Sequence, residues 1–78
     1  MGMKIDELNA AARGEGCLGK AAPDEPVFIL RAQDKLAAGL VYRWATQAEQ
    51  HGCPVEKVRE ARELAEVMGN WPHRKYPD

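Results

Sequence analysis

Residues 34–69, DKLAAGLVYRWATQAEQHGCPVEKVREARELAEVMG, decide the fold. Leu36, Leu40, Trp44 and Ala48 recur at every fourth position, and Ala37, Val41 and Ala45 form the adjacent row. With about 3.6 residues per helical turn, the two rows make one apolar stripe. Lys35, Arg43, Gln47 and Gln50 fall outside it. Asp34 is placed to accept a hydrogen bond from the first turn. The stripe stops at His51-Gly52, where glycine can adopt the left-handed conformation that closes a helix. Pro54 suits the first position of a second helix. There Val58, Ala61, Ala65 and Met68 alternate spacings of three and four, with Val55 and Leu64 on the flank. Arg59–Glu63 and Arg62–Glu66 stand four apart on the outer face, a pairing worth about 0.2–0.5 kcal/mol each. The spacing therefore predicts two helices, about 34–51 and 54–69, closed as an antiparallel hairpin.

Upstream of the hairpin lies EPVFILRAQDKLA, residues 25–37. Pro26 and the β-branched and aromatic run Val27-Phe28-Ile29-Leu30 predict an extended segment at about 26–31. Both of its faces are apolar, and an unpaired strand exposes a row of N–H and C=O groups. Three arrangements would satisfy it: irregular packing across the hairpin, pairing with its twin across a two-fold axis, or augmentation of a partner's sheet. Residues 3–13, MKIDELNAAAR, predict a short helix with Ile5, Leu8 and Ala11 or Ala12 on one side, stopped by Gly14. GEGCLGKAAPDE, residues 14–25, predicts a glycine-rich loop. The expected whole is mainly α, a single small domain over 1–78. Residues 1–24 would be loosely attached, and residues 71–78 form a tail that Pro72 bars from helix.

Seventy-eight residues make one domain, burying only about 60% of the surface its unfolded chain exposes. Eleven basic and twelve acidic side chains leave a net charge of −1, so no strong field draws nucleic acid or an anionic membrane. The longest apolar run is four residues, too short for a membrane span or a secretory core. Asp6 stands where myristoylation requires Ser or Thr. Cys17 and Cys53 can form one bridge at most, and without an export signal reduced thiols in a cytoplasm are expected.

Motifs for chemistry are weak. Gly14-Glu-Gly-Cys-Leu-Gly19-Lys20 satisfies GxxxxGK, the start of a phosphate-binding loop. But a helix precedes it where a strand is needed, and Ala21 replaces the magnesium-binding hydroxyl. Cys17, His51, Cys53 and His73 lack the doubled close spacing of a zinc site, so neither metal nor cofactor is expected. No base-orienting group accompanies either cysteine, and an enzyme is not expected. Ala48, Gly52 and Val58 have helix-turn-helix spacing. However, Gln47 and His51 would face the core, and the second helix would display more acid than base. A nucleic-acid regulator using Arg43, Arg59, Arg62, Arg74 and Lys75 is the secondary expectation.

EPVFILRAQDKLA, the following Trp44 and the closing RKYPD resemble small uncharacterised proteins encoded by bacterial phages and prophages. The resemblance spans residues 25–78. It implies a bacterial cytoplasm, the host's where the protein is phage-encoded, and an accessory factor that binds a host component; it assigns no functional residue. The leading expectation is therefore a non-enzymatic protein-binding factor that forms a homodimer. Its expected contacts are Val27, Phe28, Ile29, Leu30, Trp71 and Tyr76, residue types and positions suited to interface anchors.

Overall fold

A computed structural model describes residues 2–77; Met1 and Asp78, the last residue of the expected tail, lie outside them. Four helical segments follow one another: α1 (Lys4–Ala12), α2 (Gly16–Lys20), α3 (Ala37–Gln50) and α4 (Val55–Gly69). No strand forms among the described residues, and α3 packs on α4 as the expected hairpin. None of these helices is long and apolar enough to cross a membrane.

The hairpin core is a seam of small side chains. Ala37, Ala45 and Ala48 of α3 meet Val58, Ala61, Ala65 and Met68 of α4, all buried. Val41 packs against the Ala45–Ala48–Val58–Ala61 cluster at its centre. At the open end of the hairpin, a Cβ on Gly69 would stand 3.7 Å from that of Ala38, so the helices stay close throughout. The α4 row is the one its spacing predicts. On α3 only the Ala37 row and Ala48 face the seam, while Leu36, Leu40 and Trp44 are left half exposed. The flanking Val55 is 79% exposed, contrary to its expected place beside the core. Alanine explains this: a short side chain brings two helices together, and the larger neighbours must lie beside the contact.

The helix ends show local chemistry. Gly52 has φ +77°, Gly52 N–H donates to Glu49 O (3.1 Å) and Cys53 N–H to Ala48 O (3.0 Å), a Schellman closure of α3. Pro54 sits at the N-cap rather than inside the helix, with α4 beginning at Val55. The start of α3 is displaced from Asp34 to Ala37. The Asp34 carboxylate accepts from Leu36 N–H at 2.8 Å and its carbonyl from Ala37 N–H at 3.0 Å, making a turn that delays the helix.

That turn is held by the tail. Lys75 N–H donates to Gln33 O (2.7 Å) and Lys35 N–H to Lys75 O (2.8 Å), an isolated parallel bridge between Asp34 and Lys75. Residues 33–35 cannot be helical while their backbone pairs with another segment. The far end of the tail thus returns to the entrance of α3.

The glycine-rich stretch is also not a simple loop, because α2 occupies Gly16–Lys20. Gly14 (φ +70°) closes α1, with Gly14 N–H to Ala11 O at 3.0 Å and Glu15 N–H to Ala10 O at 2.8 Å. A Cβ on Gly19 would lie 2.7 Å from the Gly14 carbonyl carbon, so Gly19 is what lets α2 fold back on that turn. The pair α1–α2 packs internally and does not reach α3 or α4.

The seam predicts the cost of changing it. Ala61→Leu forces a larger group between fully packed helices and should destabilise the hairpin by about 1–3 kcal/mol. Val55→Ala, at an exposed position, should stay within about 0.5 kcal/mol. Chemical denaturation followed by circular dichroism measures both; equal effects would place the core elsewhere.

Candidate functional site

The expected contact residues divide between two places. Val27, Phe28 and Ile29 are exposed, Phe28 at 84%, and Leu30 is half buried. No hydrogen bond among the described residues engages the backbone of Val27–Leu30. The hairpin therefore does not cover this run, which disposes of irregular packing across the helices as the solution for its first three residues. Tyr76 lies beside it: Ile29, Arg31, Gln33, Asp34, Lys75 and Tyr76 border one shallow recess. The Lys35 ammonium stands 5.0 Å from the centre of the Tyr76 ring, a cation–π contact that fixes the ring. Trp71 is not part of this recess. It follows the end of α4, half exposed, its N–H donating to Met68 O at 3.2 Å.

A second feature is an open groove of about 720 Å³ along one side of the hairpin, with Ala38, Gly39 and Tyr42 on α3 and Val55, Arg59 and Arg62 on α4. Arg62 spans it. Its two terminal nitrogens donate to the two Glu49 carboxylate oxygens at 3.0 and 3.1 Å, and the guanidinium lies 5.8 Å from the Tyr42 ring centre. The expected Arg62–Glu66 pair is replaced by this bond between helices. A two-pronged bond to a carboxylate that faces it across the hairpin fixes guanidinium geometry better than a neighbour along the same helix. Arg59 does pair with Glu63 (3.9 Å), and also bonds Glu56.

The Arg62 hydrogen bond, reinforced by its charge, holds the Glu49 carboxyl below its ordinary range, partial desolvation opposing. In turn the bond to Glu49 raises Arg62, against desolvation, with the charge of Glu49 and the nearby Tyr42 adding to it. For the nucleic-acid reading, Arg59 and Arg62 are thus engaged by carboxylates, while Arg43, Arg74 and Lys75 are exposed elsewhere. Cys17 and Cys53 are exposed free thiols, and His51 and His73 are exposed. Among the described residues, no three His, Cys, Asp or Glu side chains gather as a metal site would require.

A third feature was hidden from the periodicity. Beside the seam, Leu36 (48% exposed), Leu40 (44%) and Trp44 (49%) form a row along α3 on the flank opposite Tyr42. The whole chain exposes 6296 Å². A folded monomer of 8.7 kDa exposes about 4,700 Å², so the excess is about 1,600 Å². Large apolar residues left exposed include this row, Val27–Ile29, and Ile5 and Leu8 of α1. Their signal in the sequence was the excess of large apolar residues over what an alanine seam can bury.

No protein-family model, curated protein or solved structure matches this chain.

The Glu49–Arg62 bond predicts a pH dependence. A carboxyl whose folded pKa is depressed stabilises the fold above its unfolded value, about 4.3, and loses that contribution as pH falls through the folded value. Glu49→Gln should lower the melting temperature at pH 7, and the gap from wild type should close as the pH drops below about 4. A gap that persists unchanged at pH 2 would deny the bond its role.

Proposed function

We propose that this chain is a non-enzymatic, protein-binding accessory factor that acts as a homodimer. It takes its protein partner through Val27–Leu30, with Tyr76 beside that run and Trp71 as a further anchor. The carrying observation is the run itself: apolar, exposed over Val27–Ile29, outside any helix, and without a backbone hydrogen bond among the described residues from Val27 to Leu30. It offers a partner's sheet edge both main-chain donors and acceptors and alternating side chains. Val27 and Ile29 would enter one side of the augmented sheet, Phe28 and Leu30 the other. The tail supports the arrangement by tying Gln33 and Lys35 to Lys75, which steadies the C-terminal end of the run.

The resemblance to phage and prophage proteins fits a factor working on a host protein in a bacterial cytoplasm. A nucleic-acid contact is the weaker reading, because two of its five arginine and lysine candidates already face carboxylates.

Immobilised wild-type chain and a Phe28→Asp, Ile29→Asp variant, both helical by circular dichroism, should be compared for capture from bacterial lysate. The wild type should retain a specific protein that the variant loses. Removing such anchors costs at least about 2 kcal/mol, roughly thirty-fold in affinity. Identical capture by both proteins would overturn the reading.

A further inference from the structure

We propose that two copies of this chain pair through Val27–Leu30 as an antiparallel two-stranded ribbon, with Phe28 of one copy opposite Phe28 of the other across a two-fold axis. The proposal rests on the homodimer of the reading above and names its interface. A strand has two edges and the ribbon uses one, so the other is left for the partner's sheet.

The first argument is the supply of backbone groups. A turn closes the run at each end: Glu25 N–H donates to Ala22 O (3.0 Å), and Arg31 O accepts from Asp34 N–H (3.0 Å). Between these turns, the N–H and C=O groups of Val27–Leu30 make no hydrogen bond among the described residues. Pairing asks the run to be extended, which its β-branched and aromatic residues favour. Opposed residues of an antiparallel pair share a face, so centring on Phe28 sets Val27 opposite Ile29 and Pro26 opposite Leu30. Opposed pairs alternate between those that exchange both N–H···O bonds and those that exchange none. Pro26 has no N–H, so its pair belongs to the second kind, and Phe28 with it. Val27 and Ile29 then carry the bonds, and every donor and acceptor they need is one the single chain leaves unused.

The second argument is charge, and it selects a second copy as the occupant. Glu25 and Arg31 are exposed, at the two ends of the run, and in an extended chain both lie on the face of Val27 and Ile29. The register places Glu25 of each copy opposite Arg31 of the other. One Glu25 carboxylate oxygen accepts from Ala22 N–H at 3.1 Å, which leaves its second oxygen for the arginine. Asp24 adds to the acidic end, where it would stand opposite Ala32. Lys35 and Lys75 lie beyond Arg31 at the basic end, and the Asp34 carboxylate there is turned onto Leu36 N–H (2.8 Å). A parallel pairing would set acid beside acid and base beside base. A segment whose ends differ in charge is its own complement under two-fold rotation.

The third argument is cover. Phe28, 84% exposed in the single chain, meets its twin in a pair without backbone bonds, where the Cα atoms stand only about 4.5 Å apart. A two-stranded ribbon is marginal on its own, so the pair should form and dissociate with concentration.

Sedimentation equilibrium from micromolar to sub-millimolar concentration should carry wild type from 8.7 kDa toward twice that mass. Amide exchange over the same range should slow at Val27 and Ile29 and stay fast at Phe28 and Leu30, because only the first two donate across the ribbon. Glu25→Arg or Arg31→Glu alone sets like charges opposite each other at both ends and should weaken association about tenfold. The two changes together restore opposite charges and should recover most of that loss. Wild type that stays monomeric overturns this proposal and the homodimer together. The ribbon alone is overturned, and the homodimer left standing, by a dimer in which Val27 and Ile29 stay fast or Phe28 and Leu30 slow instead. A doubly changed chain that associates no better than the single variants overturns it as well. If a variant loses its helical signal, the amide pattern of wild type decides. The expected pattern in a chain that captures no protein from lysate supports the ribbon and removes the partner reading.

Discussion

The close contact of alanines between α3 and α4 is the constraint on which the rest of the structure depends. Ala37, Ala45 and Ala61 are fully buried, and Ala48 and Ala65 nearly so. Methyl groups bring the helices together but remove little apolar surface, each contributing about 0.8 kcal/mol. Among the described residues, Val58 and Met68 are the only larger side chains buried in the core. A seam this narrow has no room for leucine or tryptophan. Leu36, Leu40 and Trp44 are consequently displaced to one flank, and Tyr42 and Arg62 to the other.

Polar contacts then finish what the seam begins. The Arg62–Glu49 bond joins the two helices on the groove side, and Gly52 closes the turn between them. The tail bonds to Gln33 and Lys35, which sets where α3 starts and holds Tyr76 next to Ile29. None of these contacts covers Val27–Ile29, Ile5 or Leu8. The molecule is thus a small, well-defined hairpin carrying apolar groups that it does not itself bury, and the proposed association with other chains rests on that physical situation.

Much of the hairpin was legible because it is local. The α4 row from Val58 to Met68 and the glycine closure at Gly52 follow from helical spacing and from the stereochemistry of a positive φ. On α3 the periodicity marked two adjacent rows equally, and only the alanines of the partner helix decide which one is buried. The bridge between Asp34 and Lys75 joins residues forty-one positions apart and has no periodic signal, so the tail's return and the late start of α3 were not readable. The glycines at 14, 16 and 19 looked like flexibility. They are required instead by positive φ at Gly14 and Gly16 and by the close approach of Gly19 to Gly14. Of the candidate site, the apolar run stood out by its composition, but its exposure depends on where the hairpin packs. The Leu36–Leu40–Trp44 row was read as core for the same reason.

Amide hydrogen exchange, resolved by residue, tests the alanine seam as the organising contact. Amides facing it, in Val41–Ala48 and in Ala61–Met68, should be the slowest in the chain and exchange together, as one cooperative unit. In the dilute monomer, those of α1 and of Val27–Ile29 should exchange near the rate of unstructured peptide. Protection of α1 equal to that of the hairpin, or slow exchange at Val27–Ile29 in the monomer, would contradict the account by showing a core that reaches beyond the seam.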